Sequence, residues 1–575
     1  MKKFLKFLKP YRTYIFVSLG LVFLQALSEL YLPDLMSDIV NYGIVNGDIG
    51  YILRKGELMI LIALGGTFAA VVSSYLSAQS SMGFGKMLRE EIFTKVENFS
   101  LYEFNKFGTA SLITRTTNDV NQLQIAVLMG LRMVARAPLM AVGSIVMTVS
   151  KDTRLSLIVF VSVFVVLSLV YIFYKTATPI FRAIQKKIDR VNLILRENLT
   201  GIRVIRAFNK IDYEKRRFDV ANRDLTETSM KVNRLVSGLM PLIMLISNLT
   251  FIALIWFGGI RIDRGQMQVG DLMAIIQYVM QIMFSIVMLS MIFVMLPRAS
   301  ASALRIQEVL DEPFKIKDPE KVEEIKDVKG VIEFKNVTFR YPGAEEPVLY
   351  DVSFKAEPGK VTAIIGSTGA GKSTILNLIL RFYDINEGSI LVDGVDIRNL
   401  KQENLRSIIG YVPQKALLFS GTVAENIRFG SKNVTDEDIK RAADIAQATE
   451  FISSMMNGFN SEVSQGGVNL SGGQKQRLAI ARAVAKKARI YLFDDCFSAL
   501  DFKTDLKVRT ALKKEIKDAT VIIVAQRVAT IMNADQIIVL HEGKVVGIGT
   551  HNELMKYCDV YKDIVSSQIS EEELA

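Results

Sequence analysis

Six long apolar stretches in the first half of the 575-residue chain constrain its fold more than any other feature. A helix needs about 20 apolar residues to cross roughly 30 Å of hydrocarbon. Each stretch reaches that length, and their approximate positions are 14–36, 58–81, 128–150, 155–177, 236–259 and 270–296. The first half is therefore predicted to be a polytopic α-helical membrane domain with six spans.

The charge of the chain divides at the same place as its hydropathy. Residues 1–300 carry 34 Lys and Arg against 20 Asp and Glu, whereas residues 301–575 carry 36 against 39. The resulting net charges of +14 and −3 sum to the +11 of the whole chain. A basic membrane half indicates loops near anionic lipid, so membrane lipids are expected partners and nucleic acid is not. Two cysteines also exclude a disulfide framework.

The segments between the apolar stretches are unequal, and 82–127 and 178–235 are long, polar and helical in pattern. Lys and Arg number five in residues 1–12, five in 84–126 and fourteen in 176–235. The positive-inside rule then predicts a multi-pass protein of the cytoplasmic membrane, with both termini and both long segments in the cytoplasm. Because these segments continue the helical period, the span helices are expected to have long cytoplasmic extensions.

The sequence predicts four segments along the chain. Residues 1–12 alternate Lys with Phe and Leu, which predicts an N-terminal interfacial helix before the membrane domain at 13–298. A Lys/Glu-rich stretch at 299–329 is typical of a solvated linker. From 330 to 575, short β-rich runs alternate with helical stretches, which favours an α/β domain with a largely parallel core sheet.

A glycine-rich loop directly follows the β-rich run VTAIIG and precedes a helical stretch. Its residues are Gly366, Ser367, Thr368, Gly369, Ala370, Gly371, Lys372, Ser373 and Thr374. This GxxxxGK[ST] pattern between strand and helix is typical of a phosphate-binding loop, in which Lys372 reaches the β- and γ-phosphates and Ser373 ligates Mg²⁺. Asp494 ends another predicted strand and is expected to hold Mg²⁺. ATP and Mg²⁺ are the predicted cofactors.

A second motif, LSGGQ, lies between these two elements at Leu470–Gln474. With it, the chain resembles the ABC transporter family, specifically exporters in which a half-transporter fuses six spans to one nucleotide-binding domain. The resemblance covers essentially the whole chain and implies an ABC-type fold for residues 330–575. It also implies a head-to-tail dimer in which the LSGGQ motif of one chain, called the signature, completes the ATP site of the other. The residues concerned here are Ser471, Gly472, Gly473 and Gln474.

The resemblance implies further roles in family order. Tyr341 resembles the aromatic residue that stacks on adenine, Gln414 resembles the glutamine that senses the γ-phosphate and Mg²⁺, and Asp501 belongs to the D-loop. Regions near 114–120 and 201–217 are expected to couple closure of the nucleotide-binding domains to the spans. For the basic 201–217 segment, a solvated or lipid-facing surface is the alternative.

Two positions depart from the family's pattern. The catalytic carboxylate after Asp494 is normally Glu but is Asp495 here, one methylene shorter. The switch histidine is replaced by Gln526, which can donate a hydrogen bond but cannot carry a charge. Because loss of a general base commonly costs about 10²–10⁴-fold in rate, this chain's own ATP site is predicted to be slow.

These departures predict an asymmetric heterodimer. The expected partner is a second half-transporter with Glu and His at the positions of Asp495 and Gln526, whose active site this chain's signature completes. The alternative is a fully active homodimer that tolerates both substitutions.

Methionines and aromatic residues in the last two spans suit a cavity for varied apolar molecules, although packing or lipid contact is the alternative. They are Met240, Met244, Trp256, Met273, Tyr278, Met280, Met283, Phe284, Met288, Met291 and Met295. The predicted function is therefore ATP-driven export of hydrophobic or amphipathic small molecules of the multidrug type. A lipid flippase, of the lipid A or phospholipid type, is the alternative, and an ATP-gated channel is a further one.

Polar residues inside the predicted spans are costly in lipid. Gln25, Glu29 and Asp34 in the first span, and Arg132 and Arg136 in the third, are expected to face a water-filled cavity or the membrane edge. Glu29 is a candidate partner for a basic compound.

Overall fold

The computed structural model describes residues 4–431 and 433–568, apart from the side chains of residues 291, 293 and 294. The chain forms two compact units, one of Met1–Glu97 with Thr109–Glu312 and the other of Asn98–Gly108 with Pro313–Ala575. The short segment Asn98–Gly108 thus belongs to the second unit, although its place in the sequence is between two predicted spans.

Within the described residues, the first unit contains six helices that are long and apolar enough to cross a membrane. They are α1 (Leu5–Ile44), α2 (Ile49–Glu97), α4 (Thr109–Lys151), α5 (Thr153–Thr200), α7 (Ile211–Asp263) and α8 (Val269–Asp311). Two short helices lie between them in the sequence, α3 (Leu101–Phe107) and α6 (Ile202–Ala207). Each long helix contains one predicted span, which confirms the six-span membrane domain. Their lengths of 40 to 53 residues exceed the ~20 residues that a bilayer needs, so every helix extends well beyond its span.

Small and hydroxyl-bearing residues hold the long helices together. Ser18 Oγ on α1 lies 3.0 Å from Ser73 Oγ and 2.7 Å from Ser77 Oγ on α2. Gly143 on α4 packs against Leu30 on α1 so closely that a Cβ atom there would lie 2.2 Å from Leu30 Cδ1. Small residues permit this close approach, and paired hydroxyls satisfy one another where no water is available.

The described part of the segment predicted as an interfacial helix forms the beginning of α1. It starts at Phe4, and a short 3₁₀ turn at Lys9–Tyr11 joins the first helical turn to the rest of α1. Phe4 and Phe7 are buried, and the Phe7 ring lies 6.4 Å from the ring of Phe84 on α2. Residues 1–3 of the predicted helix lie outside the described residues.

The second unit is built on two larger sheets and a two-stranded ribbon. One sheet has the order β2-β1-β4-β5, the other has the order β12-β11-β3-β10-β9-β6, and β7 pairs with β8. The strands are β1 (Ile332–Phe339), β2 (Leu349–Ala356), β3 (Val361–Gly366), β4 (Glu387–Val392), β5 (Val395–Asp396), β6 (Ile409–Val412), β7 (Gly421–Thr422), β8 (Glu462–Val463), β9 (Ile490–Asp494), β10 (Thr520–Val524), β11 (Gln536–His541) and β12 (Lys544–Gly549).

Ten helices flank these sheets in the described part of the second unit, in addition to α3. They are α9 (Lys372–Ile379), α10 (Gln402–Ser407), α11 (Val423–Arg428), α12 (Asp436–Ile445), α13 (Thr449–Ser454), α14 (Gly472–Ala485), α15 (Phe502–Glu515), α16 (Val528–Ile531), α17 (His551–Tyr557) and α18 (Asp559–Ser566).

The parallel core sheet is the frame of the site. Strands β11, β3, β10, β9 and β6 run parallel, and every residue of β9 and β10 is buried. Such burial on both faces is typical of parallel strands covered by helices and explains their continuous apolar sequences. The β-rich runs predicted within residues 330–575 form strands, with VTAIIG as β3, and the fold class is confirmed. The carboxyl ends of β3, β9 and β10 lie side by side, which brings together the residues that follow them.

Candidate functional site

The loop after β3 has two positions whose backbone conformation favours glycine. Gly369 and Gly371 have φ of +88° and +94°, in the left-handed region that disfavours other residues. At Gly371 a Cβ atom would also lie 2.7 Å from Leu349 Cδ2. The loop ends at Lys372, where α9 begins with its first-turn amides without a side-chain cap. A tight glycine loop before a helix N-terminus is suited to bind phosphate groups.

Lys372 is buried and folds back over this loop. Its Nζ donates hydrogen bonds to the carbonyl oxygens of Gly366 at 2.8 Å and Ser367 at 2.7 Å. Burial lowers the pKa of the ammonium group, and the nearby Asp495 and Asp494 carboxylates oppose that shift. The ammonium therefore lies at the mouth of the loop, where its charge can meet a phosphate group.

Ser373 and Asp494 come together from different parts of the chain. Ser373 Oγ on α9 donates to Asp494 Oδ1 at the end of β9, over 2.7 Å. Burial raises the pKa of the Asp494 carboxyl, and the Ser373 hydrogen bond partly opposes this. A hydroxyl and a carboxylate oxygen at this spacing form the hard-oxygen donor set that suits Mg²⁺, so these two residues fit the predicted metal role.

Asp495 occupies a strained backbone position next to this pair. Its φ of +44° is in the left-handed region, which is unusual for a residue with a side chain, and its N–H donates to Val524 O at 2.9 Å. Its carboxylate is buried, and Oδ2 accepts a hydrogen bond from Gln414 Nε2 at 3.3 Å. The backbone thus fixes where this short side chain starts, and the Gln414 hydrogen bond orients its carboxylate. The predicted residues Lys372, Ser373, Asp494, Asp495 and Gln414 therefore form one cluster.

Gln526 lies just beyond β10 with its side chain exposed. Its backbone carbonyl accepts a hydrogen bond from Gln568 Nε2 at 2.8 Å, and Gln568 Oε1 accepts one from the buried Val528 N–H, also at 2.8 Å. The Gln568 side chain, which follows α18, thus binds the main chain of the Gln526 loop at two positions, Gln526 and Val528. Sequence reasoning did not identify Gln568, because a contact across 42 residues leaves no local pattern.

Tyr341 lies on the other side of the glycine loop. Its hydroxyl is 3.0 Å from Thr374 Oγ1, and its ring meets Phe339 and Tyr383 edge to face at centroid distances of 4.9 and 5.2 Å. These contacts hold the aromatic ring beside the start of α9. The geometry is compatible with the predicted adenine contact, which remains a prediction.

The signature residues form the start of α14. Ser471 Oγ accepts from the Gln474 N–H at 3.3 Å, while Gln474 Oε1 accepts from the Ser471 N–H at 2.9 Å. This capping box leaves the helix N-terminus exposed, and Gly472 has open space around it. Ser471 and Gly472 are exposed, so the start of this helix is accessible from outside the chain.

Asp501 caps the next helix in a similar way. Its Oδ2 accepts a hydrogen bond from the Thr504 N–H at 3.0 Å at the start of α15. This backbone hydrogen bond lowers the pKa of the Asp501 carboxyl. The D-loop residue is therefore ionised and ordered at a helix start, and its nucleotide role remains a prediction.

The short helix α3 adds residues near Tyr341 that the sequence analysis did not assign to the second unit. Asn105 Nδ2 donates to Tyr383 Oη at 3.3 Å, and the fully buried Glu103 accepts from the Lys315 N–H at 2.7 Å. Ser100 and Glu103 form a capping box at the start of α3. The spacing S-x-x-E was a readable signal of this helix start. The predicted coupling stretch 114–120, by contrast, lies inside α4 in the first unit, and its coupling role remains a prediction.

Glu29, Asp34 and Arg136 of the predicted spans form ion pairs in the first unit, whereas Arg132 is exposed. Arg136 Nη2 lies 2.5 Å from Glu29 Oε2, and Lys151 Nζ lies 2.6 Å from Asp34 Oδ1. Glu29, predicted as a candidate partner for a basic compound, is thus bound by an internal arginine, and its role toward such a compound stays a prediction.

The methionines and aromatic residues of the last two spans fall into three main groups. Tyr278 and Met283 are buried in helix packing, whereas Met280, Phe284 and Met288 line a cavity of about 240 Å³ beside Glu29 and Arg136. A third group is exposed and does not line this cavity: Met240, Met244, Trp256 and Met273. The side chain of Met291 lies outside the described residues.

Comparison with known proteins gives consistent matches along the chain. Residues 15–287 match the ABC transporter transmembrane region, and residues 349–498 match the ABC transporter family. An uncharacterized ABC transporter ATP-binding protein of Mycobacterium tuberculosis is 42% identical over 98% of this chain and 97% of its own length.

Two further relatives have names that state a substrate. A fatty acid ABC transporter ATP-binding/permease protein of Mycobacterium tuberculosis is 35% identical, over 82% of this chain and 75% of that protein. An ATP-dependent lipid A-core flippase of Vibrio vulnificus is 30% identical, over 99% and 98%. The solved structure of a bacterial Atm1-family ABC exporter with ATP bound matches with a TM-score of 0.80 at 25% identity, covering 97% of this chain and 99% of that one.

Proposed function

This chain belongs to the ABC transporter family, and from that premise we propose that it is one half of an asymmetric heterodimeric exporter. Its second unit is an ATPase coupled to transport that uses ATP and Mg²⁺, and its first unit makes it a multi-pass membrane protein. ABC exporters function as dimers. The proposal adds that this chain's own ATP site is slow and that its signature serves the partner's faster site.

The observation that carries the proposal is the position of Asp495. Its left-handed backbone is tied to Val524 O, and its carboxylate is directed at Gln414. A carboxylate one methylene shorter than Glu cannot recover the missing reach, because strand β10 holds the backbone in place. Since misplacement near 1 Å can cost about 10²-fold, a water positioned for Glu is poorly activated by Asp495.

The substitution at Gln526 acts in the same direction. Histidine at this position would supply a group that can carry charge near neutral pH, which glutamine cannot. The loop that holds Gln526 is nevertheless well ordered by Gln568. An ordered loop with an uncharged side chain is suited to hold ATP more than to hydrolyse it.

The signature supports the second half of the proposal. Ser471 and Gln474 retain the capping box, and the amides at the start of α14 face outward. The positive end of this helix can bind the phosphate groups of a nucleotide held by another chain. The expected partner therefore carries Glu and His at the positions of Asp495 and Gln526.

We further propose that both termini and the second unit lie in the cytoplasm, since fourteen basic residues lie in 176–235 and five in 84–126. The proposed cargo is hydrophobic or amphipathic small molecules, supported by the cavity that Met280, Phe284 and Met288 line. A lipid flippase is the second candidate, favoured by the relative named as a lipid A-core flippase.

The composition of the complex tests this proposal. The tagged chain is purified from its native membrane, and the stoichiometry is measured by mass spectrometry of the intact complex. An equimolar second half-transporter with Glu and His at the two positions supports the heterodimer. Recovery of this chain alone as a dimer with vigorous ATPase activity would overturn it, because Asp495 and Gln526 would then be competent. Transport assays with a labelled phospholipid and with a small apolar dye separate the flippase from the multidrug function.

A further inference from the structure

An ion pair lies within the apolar helices of the first unit. Arg136 on α4 binds both carboxylate oxygens of Glu29 on α1, with Nη2 at 2.7 Å from Oε1 and 2.5 Å from Oε2. Each side chain keeps about 30% of its surface exposed, so the pair is accessible from the cavity beside it. Charged groups in membrane helices are costly; those that occur face the bundle interior or a water-filled cavity and mark substrate pathways.

The cavity beside the pair is amphipathic. It has a volume of about 240 Å³, with Glu29, Arg136 and Gln281 on its polar side. The rest of its lining is chiefly Met140, Met280, Phe284 and Met288. Pockets for whole small molecules are usually about 300–1,000 Å³, so this one suits a head group and its first methylenes. Phe284 is 63% exposed and extends the apolar lining outward, along the path that a longer chain would take.

Neutral amides fix the orientation of Glu29. Gln25 Nε2 donates to Glu29 Oε1 at 3.0 Å, and Gln281 Nε2 donates to the Glu29 carbonyl oxygen at 3.2 Å. Gln281 is itself held by Ser144 Oγ, which donates to its Oε1 at 2.9 Å. With the Gln25 amide and Arg136 on its carboxylate, Glu29 is satisfied without any ligand, and it is Arg136 that has donors to spare.

The charged residues among the described lining of the cavity are Arg136 and Glu29. Their formal charges cancel, so an anion is attracted by the guanidinium donors that the ion pair leaves unused, and not by a net charge. A cation, by contrast, would have to displace Arg136 from Glu29. Arg132 lies four residues before Arg136 on the same helix, is exposed, and does not belong to the lining.

The backbone at this point is also irregular. Gly130–Val134 forms a π-helical turn immediately before Arg136, and Pro138 follows it inside the helix. Such π-turns are infrequent in helices and occur often at functional sites. This irregular backbone therefore coincides with the one arginine that faces the cavity.

We propose that this cavity binds the acid head group of an anionic amphiphile, a carboxylate or phosphate on an alkyl chain, with Arg136 as the anchoring residue. The ligand anion takes up the guanidinium donors that Glu29 leaves free, and the alkyl chain lies along Met280, Phe284 and Met288. The inference rests on the proposed export function and names the substrate class for it.

Photo-crosslinking with matched 12-carbon probes tests the head-group preference without any need for ATP. The purified complex in phosphatidylcholine nanodiscs is irradiated with diazirine derivatives of dodecanoate, dodecyl phosphate, dodecylamine and dodecanol. Adducts on the α8 peptide that contains Met280 and Met288 are counted by mass spectrometry. We expect the two acids to label this peptide most efficiently, the alcohol less and the amine least. Equal labelling by all four probes, or a preference for the amine, would overturn the proposal.

Three variants separate anchoring from simple loss of fold. R136Q should reduce labelling by the acids about tenfold or more and leave dodecanol unchanged, because a charge-assisted hydrogen bond is lost. E29Q should increase labelling by the acids, since Arg136 loses its internal partner. The exchange E29R/R136E keeps an ion pair for stability but moves the guanidinium from α4 to α1, so labelling by the acids should fall while labelling by dodecanol is kept. Acid labelling in R136Q equal to that of the wild type would overturn the proposal even if every variant folds.

Transport measured on the same samples distinguishes this inference from the proposed function. ATP-driven movement of the dodecanol probe without any head-group preference would refute the anionic site and leave the exporter function standing. Head-group preference without ATP-driven movement of any probe would refute the exporter function and leave the binding site standing.

Discussion

The amide of Gln568 should control the stability of the loop that carries Gln526, and the substitution Gln568→Ala tests this. The change removes two hydrogen bonds of 2.8 Å, one to the Gln526 carbonyl and one from the Val528 N–H. Each such bond contributes about 0.5–1.5 kcal/mol net, so the local free energy of opening should fall by about 1–3 kcal/mol. The Val528 residue is fully buried and α16 has no side-chain cap of its own, which makes replacement by water inefficient.

Hydrogen–deuterium exchange of a peptide covering residues 524–531 measures the effect. A loss of about 1–3 kcal/mol corresponds to exchange faster by roughly 5- to 150-fold at the Val528 amide, while β9 amides should keep their wild-type protection. The matched control is Gln568→Glu, which keeps an acceptor for Val528 and loses only the donor, so its effect should be about half. Wild-type exchange at Val528 in the alanine variant would refute the assignment of this clamp.

Three further predictions follow from the second unit. The double variant D495E/Q526H should raise single-turnover ATP hydrolysis at this chain's own site by about 10²-fold or more, and an unchanged rate would refute the degenerate-site account. Cys496 is fully buried, and burial raises the pKa of its thiol. In a C558S background, which removes the other free cysteine, the native chain should therefore resist maleimide at pH 8 yet react in denaturant. Rapid labelling of the native C558S chain would contradict this. Hydrogen bonding to Lys360 above all holds the pKa of Glu357 at about 2, below its ordinary 4.5. The stabilisation of the folded chain by the ionised Glu357 is complete above pH 4.5 and is lost as the pH falls toward 2. The Tm difference between wild type and E357Q should therefore shrink over this interval. A constant Tm difference would contradict the prediction.

Much of the fold was predictable because its signals are local. The spans are long apolar stretches, and the parallel strands are short runs of apolar residues, so both are visible without any tertiary information. The antiparallel sheet was not predicted, since strands such as β2 alternate buried and exposed residues and resemble loops of mixed polarity. Helix α3 was predicted within the membrane half, because sequence order alone gives no sign that Asn98–Gly108 packs with the second unit.

The site was predictable wherever a motif fixes the chemistry. The glycine loop, Ser373 and Asp494 follow from spacing and the strand context, and the structure brings them together at the ends of β3 and β9. Gln568 and the Glu29–Arg136 pair could not be found, because they join residues 42 and 107 positions apart. Their partners are chosen by packing geometry, which no local pattern records.

The central claim is that hydrolysis occurs at the partner's site and not at this chain's own site. Steady-state ATPase activity of the intact complex, compared between D495N and S471A in this chain, tests it most directly. The account predicts that D495N leaves turnover nearly unchanged, while S471A lowers it about tenfold or more because the partner's ATP loses a signature contact. The opposite order, with D495N abolishing turnover and S471A leaving it intact, would contradict the account.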